Sequence, residues 1–268
     1  MIVLNSKTTD DNNNKKLIQL TEKWWFYLIL ILIGFFIPVY ASKGYLAEER
    51  MDVIILVLST GLKPYTFLSI IFHILITIFF ISLLIFKGKF IRVFIVFITI
   101  NYFLAAILQN IVITEKFGLV IPFSNMILIL IVAISWLYEG ISNKTKYEFE
   151  KQPYWKYWVV PLAVLAYWFP MDGNAMPDFN PVYFITSESM IAFCNITPIY
   201  LAIFSFLHPN YNTFTIRITS FVGIYFSILA VSFIFFNIFI YWWLIIMHLP
   251  LLTISLYMFI LSFKNKEG

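Results

Sequence analysis

The sequence predicts an all-α, polytopic integral membrane protein of about eight transmembrane helices (seven to nine), with both termini cytoplasmic. Three observations carry this. Of 268 residues, 61% are hydrophobic and only 12% charged, about half the charge of an ordinary soluble domain, and a soluble chain of this length could not hide so much apolar surface. The apolar residues gather in runs close to the ~20 that cross a bilayer. With the N-terminus inside, fourteen of the eighteen Lys and Arg fall in segments on that side, as the positive-inside rule requires. An odd number of spans would put Lys264 and Lys266 on the other face.

Residues 1–23 are mostly polar and read as a disordered cytoplasmic tail, the first apolar segment then acting as an uncleaved anchor. A single helical membrane domain covers 24–263, with spans at 24–41, 65–86, 93–113, 118–138, 157–170, 182–206, 215–236 and 238–263. The fifth is short and flanked by proline. A sharp hairpin near Asn237 divides the last two, because one run of about 50 residues is too long for a single span. The segment 44–62 has a charged head and an apolar tail, is broken by Gly61 and Pro64, and reads as an interfacial or re-entrant helix. The polar stretch 139–156 is an inner loop between two four-helix halves, and 264–268 is a cytoplasmic tail. Trp24, Trp25, Trp136, Tyr138 and the aromatics of 154–158 would ring the inner interface, and Tyr167, Trp168 and those of 241–243 the outer one.

Whole classes of function are set aside. The net charge of +4 is spread over short loops with no basic face to follow a phosphate backbone, so no nucleic-acid partner is expected. One cysteine, Cys194, allows no internal disulfide and no thiolate metal site. Zinc-helix, serine-elbow and phosphate-loop motifs are absent, so no cofactor or metal is expected. The expected partners are the lipid bilayer, a small solute or ion, and membrane partner subunits, and the expected location is the plasma membrane.

Of the fourteen acids, Glu188 alone falls inside a predicted span, where a charge costs ~2.5–3.5 kcal/mol. On a continuous helix, Glu188, Ala192 and Asn195 share one face, and Pro198 frees a backbone carbonyl one turn back. The competing reading places Glu188 in a first turn capped by Thr186 or Ser187, where its charge suits the helix dipole. His73 shares a polar stripe with Thr66, Ser69 and Thr77. Asn101, Ala105 and Gln109 form a second stripe, and His248 faces the same way as Tyr241 and Ser255. Such stripes turn toward other helices, to bind a ligand or to hydrogen-bond across the interface. Asp172 and Asp178, with Asn174 and Asn180, make an outer loop rich in oxygen groups whose spacing matches no calcium loop and which also reads as a plain turn.

These features lead to a small-solute or ion transporter, or a membrane subunit of one, with Glu188, Asn195, His73 and His248 along its path. One alternative is a membrane-embedded enzyme acting on a lipid or peptide, with Glu188 or the Asp172 and Asp178 loop as acid/base. Another is a non-catalytic assembly subunit.

Overall fold

The computed structural model describes residues 12–147, 152–232 and 234–264, and the expectations for 1–11, 148–151 and 265–268 lie outside the described residues. The chain is mostly helical. A short helix α1 (Asn12–Leu20) bends by 68° into α2 (Trp24–Phe36). After strand β1 (Val39–Ala41), helix α3 (Arg50–Thr60) runs through a 3-10 turn into α4 (Thr66–Ile85). Helix α5 (Ile91–Leu108) leads to strands β2 (Val112–Thr114) and β3 (Gly118–Pro122) and then α6 (Phe123–Ser142). The rest is helical: α7 (Val159–Trp168), α8 (Tyr183–Thr186), a 3-10 turn at Glu188–Ile191, α9 (Phe193–Ser205), α10 (Thr213–Ser232) and α11 (Ile234–Phe263). Among the described residues, five helices are long and apolar enough to cross a membrane, and up to seven if each sharply bent pair counts as one span.

The exposed faces show what solvent this bundle is built for. On α4, Phe67, Ile71, Ile74, Ile78, Ile81 and Ile85 are all exposed at alternating steps of four and three, a stripe that in water would face a core. Here it faces outward, as lipid-facing surface does. The inward face of the same helix carries Ser69, Phe72, His73 and Ile76, all buried. The chain is therefore an integral membrane protein.

Contacts fix which ends lie together. The sheet, in the order β1-β3-β2, gathers the C-terminal ends of α2 and α5 and the start of α6 at one end. At the other end, Lys146 donates its backbone N–H to Asn210 O at 2.9 Å, and Asn212 Nδ2 donates to the buried Glu139 carboxylate at 2.7 Å. Arg217, 1% exposed, reaches Ile18 O at 3.2 Å and Ser262 O at 3.0 Å, so the two described chain ends lie together at this second end.

Several expectations are corrected. The class is not purely α: β3 pairs antiparallel with β1 and β2, so the expected spans 24–41, 93–113 and 118–138 each lose residues to strands. The β-branched run around Val120 packs with Val39, Val53, Val57 and Phe117 in a small separate core, a sheet-on-helix cap. Segment 44–62 does not lie alone at an interface. Joined to α4 it makes a 39-residue helical run, about 58 Å at 1.5 Å per residue and longer than a ~30 Å hydrocarbon core, with α3 packed against β3. Residues 12–20 are helical, not disordered, because Leu17 and Ile18 pack on the main core. Asn237 lies inside α11, and the join between α10 and α11 falls at residue 233, outside the described residues. Trp24 and Tyr154 are exposed, as an aromatic belt requires, but Trp136 is fully buried and donates Nε1–H to Thr219 Oγ1 at 2.9 Å. Glu139 belongs to the last turn of α6, not to a loop, and is buried.

Candidate functional site

The expected span 182–206 is two pieces. The stretch Tyr183–Ile191 and α9 meet at 98°, with Ala192 extended between them at φ −92°, ψ 124°. Such a break frees backbone groups where water is scarce, and each must find a partner inside the protein.

The two polar stripes supply those partners. From α4, Ser69 donates its hydroxyl to Ser187 O at 2.6 Å and accepts the Met190 N–H at 3.2 Å. From α5, Asn101 donates Nδ2–H to Met190 O at 3.1 Å, and Gln109 Oε1 accepts the Phe193 N–H at 3.0 Å. Gln109 thus caps the first residue of α9. Both faces singled out in the sequence are used, and both grip the same break.

His73 sits at the centre. Its Nδ1 is 2.8 Å from Ser69 O, one turn back on α4. Donation there leaves Nε2 as an acceptor, 3.1 Å from Ser189 Oγ and 3.4 Å from Ser187 Oγ. The two hydroxyls are 2.8 Å apart, and Ser189 also donates to Tyr167 O at 2.8 Å. The Tyr167 ring meets the imidazole edge-on at 4.8 Å. His73, Ser187 and Ser189 are all buried. Ser187 and Ser189 bring one hydroxyl hydrogen each: that of Ser189 goes to Tyr167 O, and that of Ser187 is left for His73 Nε2 or Ser189 Oγ. Ser189 was missed in the sequence and Ser187 was read only as a cap, although they flank Glu188. Their signal is two small hydroxyls at spacing two, which a helical reading places on different faces and a 3-10 break brings together.

The remaining candidates are dispersed. Glu188 and Asn195 share no helical face, because the chain breaks between them; this corrects the single-helix reading. Glu188 is half-buried in the 3-10 turn, within Coulombic reach of Lys63. Neither Thr186 nor Ser187 caps that turn, and the Ser187 hydroxyl turns to Ser189 instead. Asn195 donates Nδ2–H to Ala166 O on α7 at 3.3 Å. His248 lies on α11, with Nδ1 2.7 Å from Leu244 O of its own helix, and among the described residues it makes no hydrogen bond to His73, Ser187 or Ser189. In the loop, Asp172 Oδ1 accepts the Met176 and Asn174 N–H groups, each at 2.9 Å, and these bonds, Met176 first, hold its carboxyl below the usual range. Asp178 accepts Asn180 N–H at 3.2 Å and the Tyr183 hydroxyl at 2.7 Å. Both carboxylates are turn-forming acceptors. Among the described residues no three His, Cys, Asp or Glu side chains group to hold a metal.

The fold and site together define a mostly helical membrane protein with a sharply bent helix pair gripped by polar stripes and a small three-stranded sheet packed on α3. Comparisons with protein-family models, curated proteins and solved structures give no match to this chain.

Proposed function

We propose that this chain crosses the plasma membrane eight times with both termini cytoplasmic, and that it is a small-solute or ion transporter or a membrane subunit of one. The observation that carries the reading is the 98° break in the span 183–205, packed against a buried histidine, two serine hydroxyls and the Tyr167 carbonyl. Broken helices with freed carbonyls near a titratable side chain are how membrane bundles hold and release ions and small polar solutes. The polar centre is His73, Ser187 and Ser189, with Asn101 and Gln109 as the hinges that hold the segment. The eighth crossing is α7 with the 3-10 turn before it. The cytoplasmic face is the end where the two described chain ends meet, since most Lys and Arg gather there.

The test is flux in reconstituted vesicles. Proteoliposomes containing a pH-sensitive dye are challenged with proton, Na⁺ and K⁺ gradients, using wild type, His73→Gln and Ser189→Ala. A cation-specific flux that falls at least tenfold in both variants supports the reading. Wild-type vesicles as tight as empty ones to all three cations overturn the ion-transport form of it.

A second reading, a membrane-embedded enzyme acting on a lipid or peptide, rests on one distance: Ser189 Oγ lies 3.1 Å from His73 Nε2, within reach for a base to activate a hydroxyl. A fluorophosphonate probe that labels Ser189 in wild type and not in His73→Gln supports this second reading over transport.

A further inference from the structure

A groove runs between α5 and α6, two of the helices long and apolar enough to cross a membrane. α5 gives it Val96, Thr99 and Ile100, α6 gives it Leu137, Gly140 and Ile141, and it holds about 310 Å³, the low end of the ~300–1,000 Å³ range of ligand pockets. Val96, Ile100, Leu137 and Ile141 are exposed and form its rims. Thr99 is buried and spends its hydroxyl on Ile95 O at 2.9 Å, so the walls are apolar in effect. Gly140 leaves the space open: a Cβ there would meet nothing nearer than Ile95 Cγ2 at 3.8 Å. The same distance sets the last turns of α6 level with the first turns of α5.

One end of the groove is marked by charge. Arg92, Val96, Thr99 and Phe103 follow at steps of four, three and four on α5, so they share one narrow face, and Arg92 stands about 6 Å before Val96 along the axis. Arg92 is the second residue of α5, with the apolar run beginning at Val93, and helix side chains lean toward the N-terminus. Its guanidinium is therefore carried out to headgroup level, with the apolar walls on the hydrocarbon side of it. Lys87 and Lys89 are exposed on the adjoining turn. Among the described residues no hydrogen bond or ion pair ties the side chains of Lys87, Lys89 or Arg92, and the sequence has no Asp or Glu between Asp52 and Glu115. A second spanning helix suits the groove poorly. Close helix approach uses small residues one turn apart, but Trp136 and Lys144 stand at that spacing from Gly140, and Ile95 and Phe103 from Thr99. We infer that the groove binds a phospholipid with an anionic head, the phosphate on Arg92 and Lys89 and one acyl chain lying between Val96 and Gly140. The inference is independent of the transport reading, since it uses none of His73, Ser187 or Ser189.

Head and chain are tested separately. Full-length protein is placed in nanodiscs of equimolar phosphatidylcholine and phosphatidylglycerol with identical acyl chains, and the lipid retained on release is counted by native mass spectrometry. Wild type is expected to retain phosphatidylglycerol in preference to phosphatidylcholine. Arg92→Gln is expected to weaken that retention about fivefold, the factor one basic side chain near an anionic surface is worth. Lys63→Gln, exposed before the opposite end of α4, removes the same charge and should change nothing. Gly140→Leu fills the groove from α6 and Ile100→Phe fills it from the exposed rim of α5, and each should lower retention severalfold with all cations in place; if one of the two fails to fold, the other decides. The inference is overturned if phosphatidylglycerol is not preferred, if Lys63→Gln weakens retention as much as Arg92→Gln, or if the folded groove-filling variants retain as much lipid as wild type. A wild-type dimer that Gly140→Leu dissociates, with no lipid preference, would assign the groove to a second copy of the chain instead.

Discussion

Removing the Ser69 hydroxyl tests whether the α4 stripe holds the broken span. Ser69 is fully buried, and its hydroxyl joins two backbone groups at the start of the 3-10 turn, Ser187 O at 2.6 Å and Met190 N–H at 3.2 Å. In Ser69→Ala both groups lose that partner. Hydrogen bonds between membrane helices average about 0.6 kcal/mol and reach about 1.7, so two lost bonds cost about 1–3 kcal/mol. The loss is local, and amide hydrogen exchange over 183–193 in nanodiscs reads it directly. An opening equilibrium easier by that amount speeds exchange at Met190 roughly 5- to 150-fold. Ser59→Ala is the matched control, because Ser59 is exposed and bonds only Leu56 O within its own turn, so it should change stability by no more than about 0.5 kcal/mol. If Ser69→Ala leaves exchange at 183–193 unchanged while the protein stays folded, the stripe does not hold the break, and the argument that α4 positions the polar centre fails with it.

Other perturbations test other joints. A Cβ on Gly223 would fall 2.3 Å from Ser255 Oγ and 3.3 Å from Leu251 Cδ1, so Gly223→Leu should cost about 1–3 kcal/mol as overpacking between α10 and α11. Gly223→Ala with Ser255→Ala should recover most of the loss, and equal unfolding midpoints for Gly223→Leu and wild type would contradict that close approach. Arg217→Met removes the bonds to Ile18 O, Thr21 Oγ1 and Ser262 O and the guanidinium 4.1 Å over the Phe263 ring. Trypsin should then cut at Lys15, Lys16 or Lys23 several-fold faster, and an unchanged digestion pattern would show that α1 is held by its apolar contacts alone. In the 169–182 loop, the Asp172 carboxyl is held below its ordinary value by the Met176 and Asn174 N–H groups. Its contribution is therefore complete above the ordinary aspartate pKa of about 4 and is lost only as pH falls through the lowered folded value. Exchange at the 174 and 176 amides should rise on acidification below that point in wild type, and Asp172→Asn should flatten the dependence. A wild-type rise centred above pH ~5 would refute the assignment.

The sequence by itself determined the solvent. Its low charge, its apolar runs and the exposed isoleucine stripe of α4 follow from composition and period, which act locally along the chain. It also marked the right stripes, since Ser69, His73, Asn101 and Gln109 are all inward and bonded. It could not say what they grip, because the groups they hold on the broken stretch lie 84 to 121 residues away. The break at Ala192 was illegible for the same reason. Residues 182–206 have the length and composition of one helix, and only a side chain from α5 capping Phe193 makes two shorter pieces tolerable inside the bundle. The sheet escaped for a related cause: an apolar run of three to five residues reads alike as strand or helix, and the tertiary structure decides it by pairing 39–41 with 120–122 across some eighty residues of chain. Arg217 and Glu139, near predicted span ends, became buried only when distant segments closed over them. Composition therefore fixed where the chain resides, and long-range hydrogen bonding in a medium without water fixed where its polar centre lies.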